Sequence, residues 1–246
     1  MLGVIGGSGL TKLSELTDSS RRIVRTPYGD PSCALTLGKL GGRPVVFLAR
    51  HGHGHTLAPH QINYRANIWA LRELGVTKVL AVATVGGIRE DCKPGSLVAA
   101  HQLIDYTANR IGTFFDGPDE PVTHIDFTEP YDHGLRSQIL AAGKVANESI
   151  VDGATYGCTQ GPRLETAAEI RRMERDGCDL VGMTGMPEAA LARELELPYA
   201  VLAVVANYAA GLGDSRRGIS LEAIGPVLDK AMQRARRVIS VFAGAV

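Results

Sequence analysis

Five short segments of this chain carry side chains that could bind or transform a small polar molecule. In Gly3-Val-Ile-Gly-Gly-Ser-Gly-Leu10, glycines and a hydroxyl follow an apolar run. Backbone N–H groups at such glycines can approach an anion closely and Ser8 adds a donor, so a phosphate could be cradled there. A tight turn leaving a buried strand is the plain alternative. A dinucleotide site is a further one, but no second strand ends in a clear acidic residue about 20 positions on. The second segment is Arg50-His51-Gly-His53-Gly-His55, with His60 beyond it. Arginine offers a fork of donors suited to phosphate oxygens, and histidine a donor of adjustable charge. Three alternating histidines also raise a metal site. Flanking glycines leave the imidazoles unsupported and no carboxylate or cysteine lies nearby in sequence, so no metal is expected. The third, Gly161-Pro-Arg-Leu-Glu-Thr166, opens a helix, where Glu165 and Thr166 serve capping as readily as ligand binding. Met183-Thr184 closes an apolar strand before Gly185-Met186-Pro187-Glu188, and Asn207-Tyr208-Ala209 ends the last one. Such ends face the ligand crevice of α/β sheets, although a lone Asn also suits a turn.

Stepping these side chains into place requires a strand-and-helix scaffold. Apolar, β-branched runs at 2–5, 43–48, 78–82, 96–99, 179–183 and 199–205 are mostly continuous rather than alternating, which predicts strands buried on both faces. Helical patterns at 63–74, 166–175, 187–194 and 221–242 lie between and after them. The expected class is therefore α/β: a single domain over 1–246 with a central mixed, largely parallel sheet flanked by helices. The stretch 109–133, with three prolines and several acids, is long enough to be a functional excursion.

Composition narrows the partners. With 26 basic and 26 acidic residues the chain lacks the positive field that draws nucleic acid or anionic lipid, so a small ligand is expected. Four cysteines without a CxxC pair suit free thiols in a reducing compartment, and the cytoplasm is expected. No apolar run reaches the roughly 18 residues of a membrane span, and the first residues read as a strand rather than a leader.

In chain order, Gly6-Gly-Ser-Gly9, Arg50-His-Gly52, Asn63-Tyr-Arg-Ala-Asn-Ile68, Gly86-Gly-Ile-Arg-Glu90, Gly161-Pro-Arg163, Met183-Thr184 and Pro187-Glu-Ala189 closely resemble the trimeric branch of the purine nucleoside and methylthioadenosine phosphorylase family. The likeness spans almost the whole chain. It implies that Ser8, Arg50, His51, Thr84 and Thr184 hold phosphate, that Met183 lies against the ribose, and that Asn207, Tyr208 and Ala209 face the base, Asn207 acting in catalysis. It also implies a homotrimer in which His124 is lent to a neighbour's site. Phosphate is then a co-substrate, and no metal or organic cofactor is needed.

Departures from the family pattern bear on the substrate. Methylthioadenosine phosphorylases end the last site strand with Asp-Tyr-Asp, where this chain has Asn207-Tyr208-Ala209. A carboxamide can accept from a protonated N7 and donate to a 6-oxo group, and Glu165 beside Thr166 can accept from the N1–H of a 6-oxopurine. Relatives of the ordinary nucleoside type place a histidine beside the 5′-hydroxyl, where this chain has Gly218-Ile-Ser-Leu221. Ile219, or Leu221 if the gap falls differently, makes that end apolar and suited to a methylthio group. Leu164 stands where many relatives have a stacking Phe. The combination implies phosphorolysis of S-methyl-5′-thioinosine. The alternatives are a general 6-oxopurine nucleoside phosphorylase, a methylthioadenosine phosphorylase, or, outside enzymes of this type, a purine-binding module or dinucleotide-dependent oxidoreductase.

Overall fold

A computed structural model describes residues 1–118 and 121–245, with the backbone but not the side chain of Leu221. The strands are β1 (Leu2–Gly6), β2 (Thr17–Arg22), β3 (Leu35–Leu40), β4 (Arg43–Ala49), β5 (Lys78–Gly87), β6 (Leu97–Ala99), β7 (Gln102–Asp105), β8 (Ile150–Asp152), β9 (Thr155–Cys158), β10 (Leu180–Gly182) and β11 (Tyr199–Tyr208). The helices are α1 (Tyr64–Glu73), α2 (His133–Val145), α3 (Ala167–Arg175), α4 (Glu188–Glu194) and α5 (Leu221–Ala245). All eleven strands join one sheet, in the order β2-β3-β4-β1-β5-β10-β9-β7, with β11, β6 and β8 branching from β5. The sheet is mixed and largely parallel, as expected: β1 lies parallel to β4 and β5, and β5 to β11, while β10 runs antiparallel to β5.

Continuous apolar runs became central strands for the physical reason anticipated. Val4 and Ile5 are both fully buried but enter different clusters, one on each face of the sheet. On one face Tyr64, Ile68 and Leu71 of α1 pack with Ala189, Leu191 and Ala192 of α4. On the other, Leu135 and Ile139 of α2 pack with Met232, Val238, Ile239 and Phe242 of α5. The strands without a continuous apolar run were not anticipated. All six residues of β2 are exposed, so burial leaves no periodic mark there. Helix α2 falls in a stretch of ordinary helix formers with few large apolar residues, capped at Asp132, whose side chain accepts from Leu135 N at 2.7 Å.

Gly6 is required by close approach. A Cβ at that position would lie 2.0 Å from the Leu10 carbonyl oxygen and 2.7 Å from the Phe47 ring. Backbone cannot yield as a flexible side chain can, so Gly6→Ala is expected to cost about 2–3 kcal/mol, read as a lowered midpoint in chemical denaturation. An unchanged midpoint would mean that the turn relaxes freely.

Candidate active site

Because β1, β4, β5 and β11 run parallel, their C-terminal ends open on one edge of the sheet, and β10 runs back along β5 to bring its own end there. At that edge lies a cavity of about 530 Å³, within the range of small-molecule sites. Ser8 follows β1, Arg50 and His51 follow β4, Thr84 lies in β5, Met183 and Thr184 follow β10, and Asn207 and Ala209 stand at the end of β11. All of these line the cavity, as do Leu164, Glu165 and Ile219.

Arg50 is 1% exposed and Glu188, at the start of α4, is fully buried. They form a bidentate pair, Nε to Oε2 at 2.6 Å and an Nη to Oε1 at 2.7 Å, while Tyr199 donates to the same Oε1 at 2.8 Å. Another Arg50 Nη donates to the Val82 carbonyl at 3.0 Å. Burial opposes the arginine's charge, but Glu188 outweighs it and holds the guanidinium above its usual range. Three of the five N–H donors are thus committed, and two have no protein acceptor among the described residues. A pair so satisfied fixes the fork rigidly against the cavity.

His51 Nδ1 lies 2.8 Å from the Leu57 carbonyl oxygen, and its ring is 4.4 Å from that of His55. Burial, then the nearby Arg50 and His55, push its imidazole down to about 4, against the opposing effect of the Leu57 hydrogen bond. His55 Nε2 also stands 3.4 Å from Ser8 Oγ. Thr84 donates its hydroxyl proton to the Ser8 carbonyl at 2.8 Å, so its side chain ties the turn after β1 to β5 and faces a ligand as an acceptor. Thr184, 7% exposed, stands against Tyr156, whose hydroxyl oxygen accepts from the Thr184 N–H at 3.3 Å.

At the other end, Thr159 donates to Glu165 Oε1 at 2.7 Å, leaving Oε2 uncommitted. Asn207 Nδ2 donates to the carbonyl of Tyr208 at 2.7 Å, which leaves Oδ1 and one amide N–H for a ligand. A bulge in β11 sets this orientation: Val205 pairs with Val85 but Asn207 with Gly86, so Ala206 is extra. Ile219 is joined on the wall by Ile224 and Leu228 of α5, an i, i+4 pair that the sequence pattern offered but that was not singled out.

Three expected ligand contacts do not reach the cavity. Tyr208 points to the opposite side from Asn207, as strand alternation demands, and its ring packs where a Cβ on Gly213 would meet it at 2.4 Å. Thr166 is the N-cap of α3: its Oγ1 accepts from Glu169 N at 3.1 Å, and Glu169 accepts in return from Thr166 N at 2.7 Å. Capping, the alternative weighed for this residue, accounts for it. His124 is exposed and lies off its own chain's cavity.

Arg110, at the start of the long 109–133 stretch, was also not anticipated. It donates to the carbonyls of Gln160 at 2.8 Å, Met183 at 2.9 Å and Met186 at 2.5 Å, tying that stretch to the two segments that form the cavity wall. Among the described residues, no three His, Cys, Asp or Glu side chains are grouped to hold a metal ion, and no helix is long and apolar enough to cross a membrane.

A doubly covered mixed sheet whose parallel strand ends surround a cavity with an arginine–histidine pair at one end and amide and carboxylate groups at the other defines a nucleoside-phosphorylase class of enzyme. The chain belongs to the phosphorylase superfamily, whose sequence model matches residues 1–243. It is 57% identical over 215 residues, 87% of this chain and 86% of the relative, to the "Probable S-methyl-5'-thioinosine phosphorylase" of Xanthomonas campestris pv. campestris. It is 46% identical over 220 residues, 87% of this chain and 82% of the relative, to the 6-oxopurine nucleoside phosphorylase of Pyrococcus furiosus. Among solved structures, methylthioadenosine phosphorylase from Schistosoma mansoni in complex with adenine superposes with a TM-score of 0.93 at 32% identity, covering 99% of this chain and 90% of that one.

Proposed function

We propose that this enzyme cleaves S-methyl-5′-thioinosine with phosphate to hypoxanthine and 5-methylthioribose 1-phosphate. The observation that carries the reading is the joining, in one cavity, of a 6-oxopurine reader with an apolar wall. Asn207, Glu165, Ile219, Ile224 and Leu228 all line that cavity. The similarity to relatives bearing that name supports the same substrate.

In this reading Ser8, Arg50, His51 and Thr184 hold phosphate, Thr84 positions Ser8, and Met183 lies against the ribose. A phosphate oxygen attacks C1′ as the C1′–N9 bond breaks, and the bond's electron pair passes to the purine, which takes a proton from solvent on nitrogen while hydrogen phosphate gives up its own to solvent as the ester forms. Asn207 Oδ1 accepts from N7–H as that charge develops, its N–H donates to O6, and Glu165 accepts from N1–H. Held reactants and fixed donors supply the acceleration, and the reaction so written uses no metal or organic cofactor. The 5′-methylthio group fills the apolar wall, worth on the order of 1–2 kcal/mol over an unpaired hydroxyl there. Free cysteines support a cytoplasmic setting. His124, exposed beside Val122 at 79% exposure, supports a homotrimer in which each protomer completes its partner's site, to be checked by light scattering.

Steady-state kinetics with methylthioinosine, methylthioadenosine, inosine and adenosine test the substrate. The highest kcat/KM is expected for methylthioinosine, and a maximum at methylthioadenosine would overturn the reading. A general 6-oxopurine phosphorylase is the second reading, favoured by the same Asn207 and Glu165, and it requires inosine to match methylthioinosine. Ile219→His is expected to improve inosine relative to methylthioinosine by about tenfold, one added hydrogen bond's worth. No change would move the specificity to Ile224 and Leu228.

A further inference from the structure

The phosphate end of the cavity contains an acceptor among its donors. His51 Nδ1 lies 2.8 Å from the Leu57 carbonyl oxygen, which can only accept, so Nδ1 carries the ring proton. A neutral imidazole then presents Nε2 as a bare lone pair. The ring is 7% exposed and lines the cavity with Ser8, Arg50 and Thr184, and Nε2 has no hydrogen-bond partner among the described residues. Two ionisable groups bear on it, Arg50 and His55, and both oppose a second proton, as burial does more strongly. Arg50 is itself paired with buried Glu188 at 2.6 Å.

We infer that His51 makes this site select oxyanions that carry their own proton. The hydroxyl of hydrogen phosphate or hydrogen arsenate donates to Nε2, while the remaining oxygens accept from Arg50, Ser8 and Thr184. Sulfate has the same shape and charge but no proton at neutral pH, so one of its oxygens meets Nε2 lone pair to lone pair. Sulfate is accommodated only when His51 first takes up a proton. This inference rests on the phosphate-binding reading above, and it assigns His51 a specificity role.

Competition by sulfate tests it. Between about pH 7.5 and about pH 9, phosphate and arsenate keep one proton, and their KM values are expected to move by less than about threefold. The sulfate inhibition constant is expected to rise about tenfold per pH unit, because its binding is linked to one proton. The ratio of sulfate to arsenate constants cancels titrations elsewhere in the protein. His51→Gln, which can offer an amide N–H, is expected to flatten the sulfate profile. If that variant does not fold, the wild-type ratio decides alone: a ratio independent of pH overturns the inference. Base release that needs neither phosphate nor arsenate would instead overturn the underlying phosphorylase reading, which the same assay distinguishes.

Discussion

Arg50→Met is expected to lower kcat/KM by about a hundredfold to a thousandfold, as loss of a fixed donor to a charged reactant does, and to destabilise the fold by about 3–5 kcal/mol. The second effect arises because Glu188, fully buried and hydrogen-bonded to Arg50 and Tyr199, would be left in the interior without its counterion. The two effects separate in a double variant. Arg50→Met with Glu188→Gln removes both charges and leaves the amide oxygen for Tyr199, so unfolding midpoints are expected to recover most of the loss while activity stays low. Thermal or chemical unfolding combined with phosphate-dependence assays reads both. A double variant as unstable as the single one would assign the cost to packing, and recovered activity would remove Arg50 from phosphate binding.

Asn207→Asp is expected to shift relative kcat/KM toward 6-aminopurine nucleosides by about tenfold to a hundredfold, the value of one unmatched buried polar contact of about 1–3 kcal/mol. A protonated carboxyl can donate to N7 while its other oxygen accepts from the 6-amino group, whereas the present amide N–H would face amino hydrogens. Glu165 limits the shift. Held by Thr159 at 2.7 Å, it still presents an acceptor to the lone pair of adenine N1. Asn207→Asp with Glu165→Gln is therefore expected to move the ratio further than either change alone. Competition between methylthioinosine and methylthioadenosine, followed by release of each base, measures this directly. An unmoved ratio in both variants would make cavity shape, through Leu164 or the α5 wall, the selecting feature.

The parts of this protein legible in sequence are those whose physical cause is local or periodic. Strands buried on both faces read as continuous apolar runs, so β1, β4, β5, β10 and β11 lie where those runs are. Parallel strand ends share one edge, so Ser8, Arg50 and Asn207 could be placed together from their positions after strands, Thr84 joined them by resemblance to the family, and one cavity does gather all four. Strand β2, exposed at every residue, carries no such mark.

Other features depend on chain segments far apart, and only the tertiary structure decided them. Arg50 and Glu188 are 138 positions apart, so no spacing foretold that the phosphate-end arginine would be paired with a buried carboxylate. The tautomer of His51 depends on where the Leu57 carbonyl falls when the loop folds back, and the direction of Asn207 on a single bulged residue against β5. Thr166 carries a residue type that serves capping and ligand binding equally, and the fold alone assigned it to the cap. Sequence determined which chemical groups could meet, because strand order and period are written into local composition. Their protonation, pairing and aim were settled by three-dimensional contact, because a hydrogen bond depends on distances and angles that no linear pattern records.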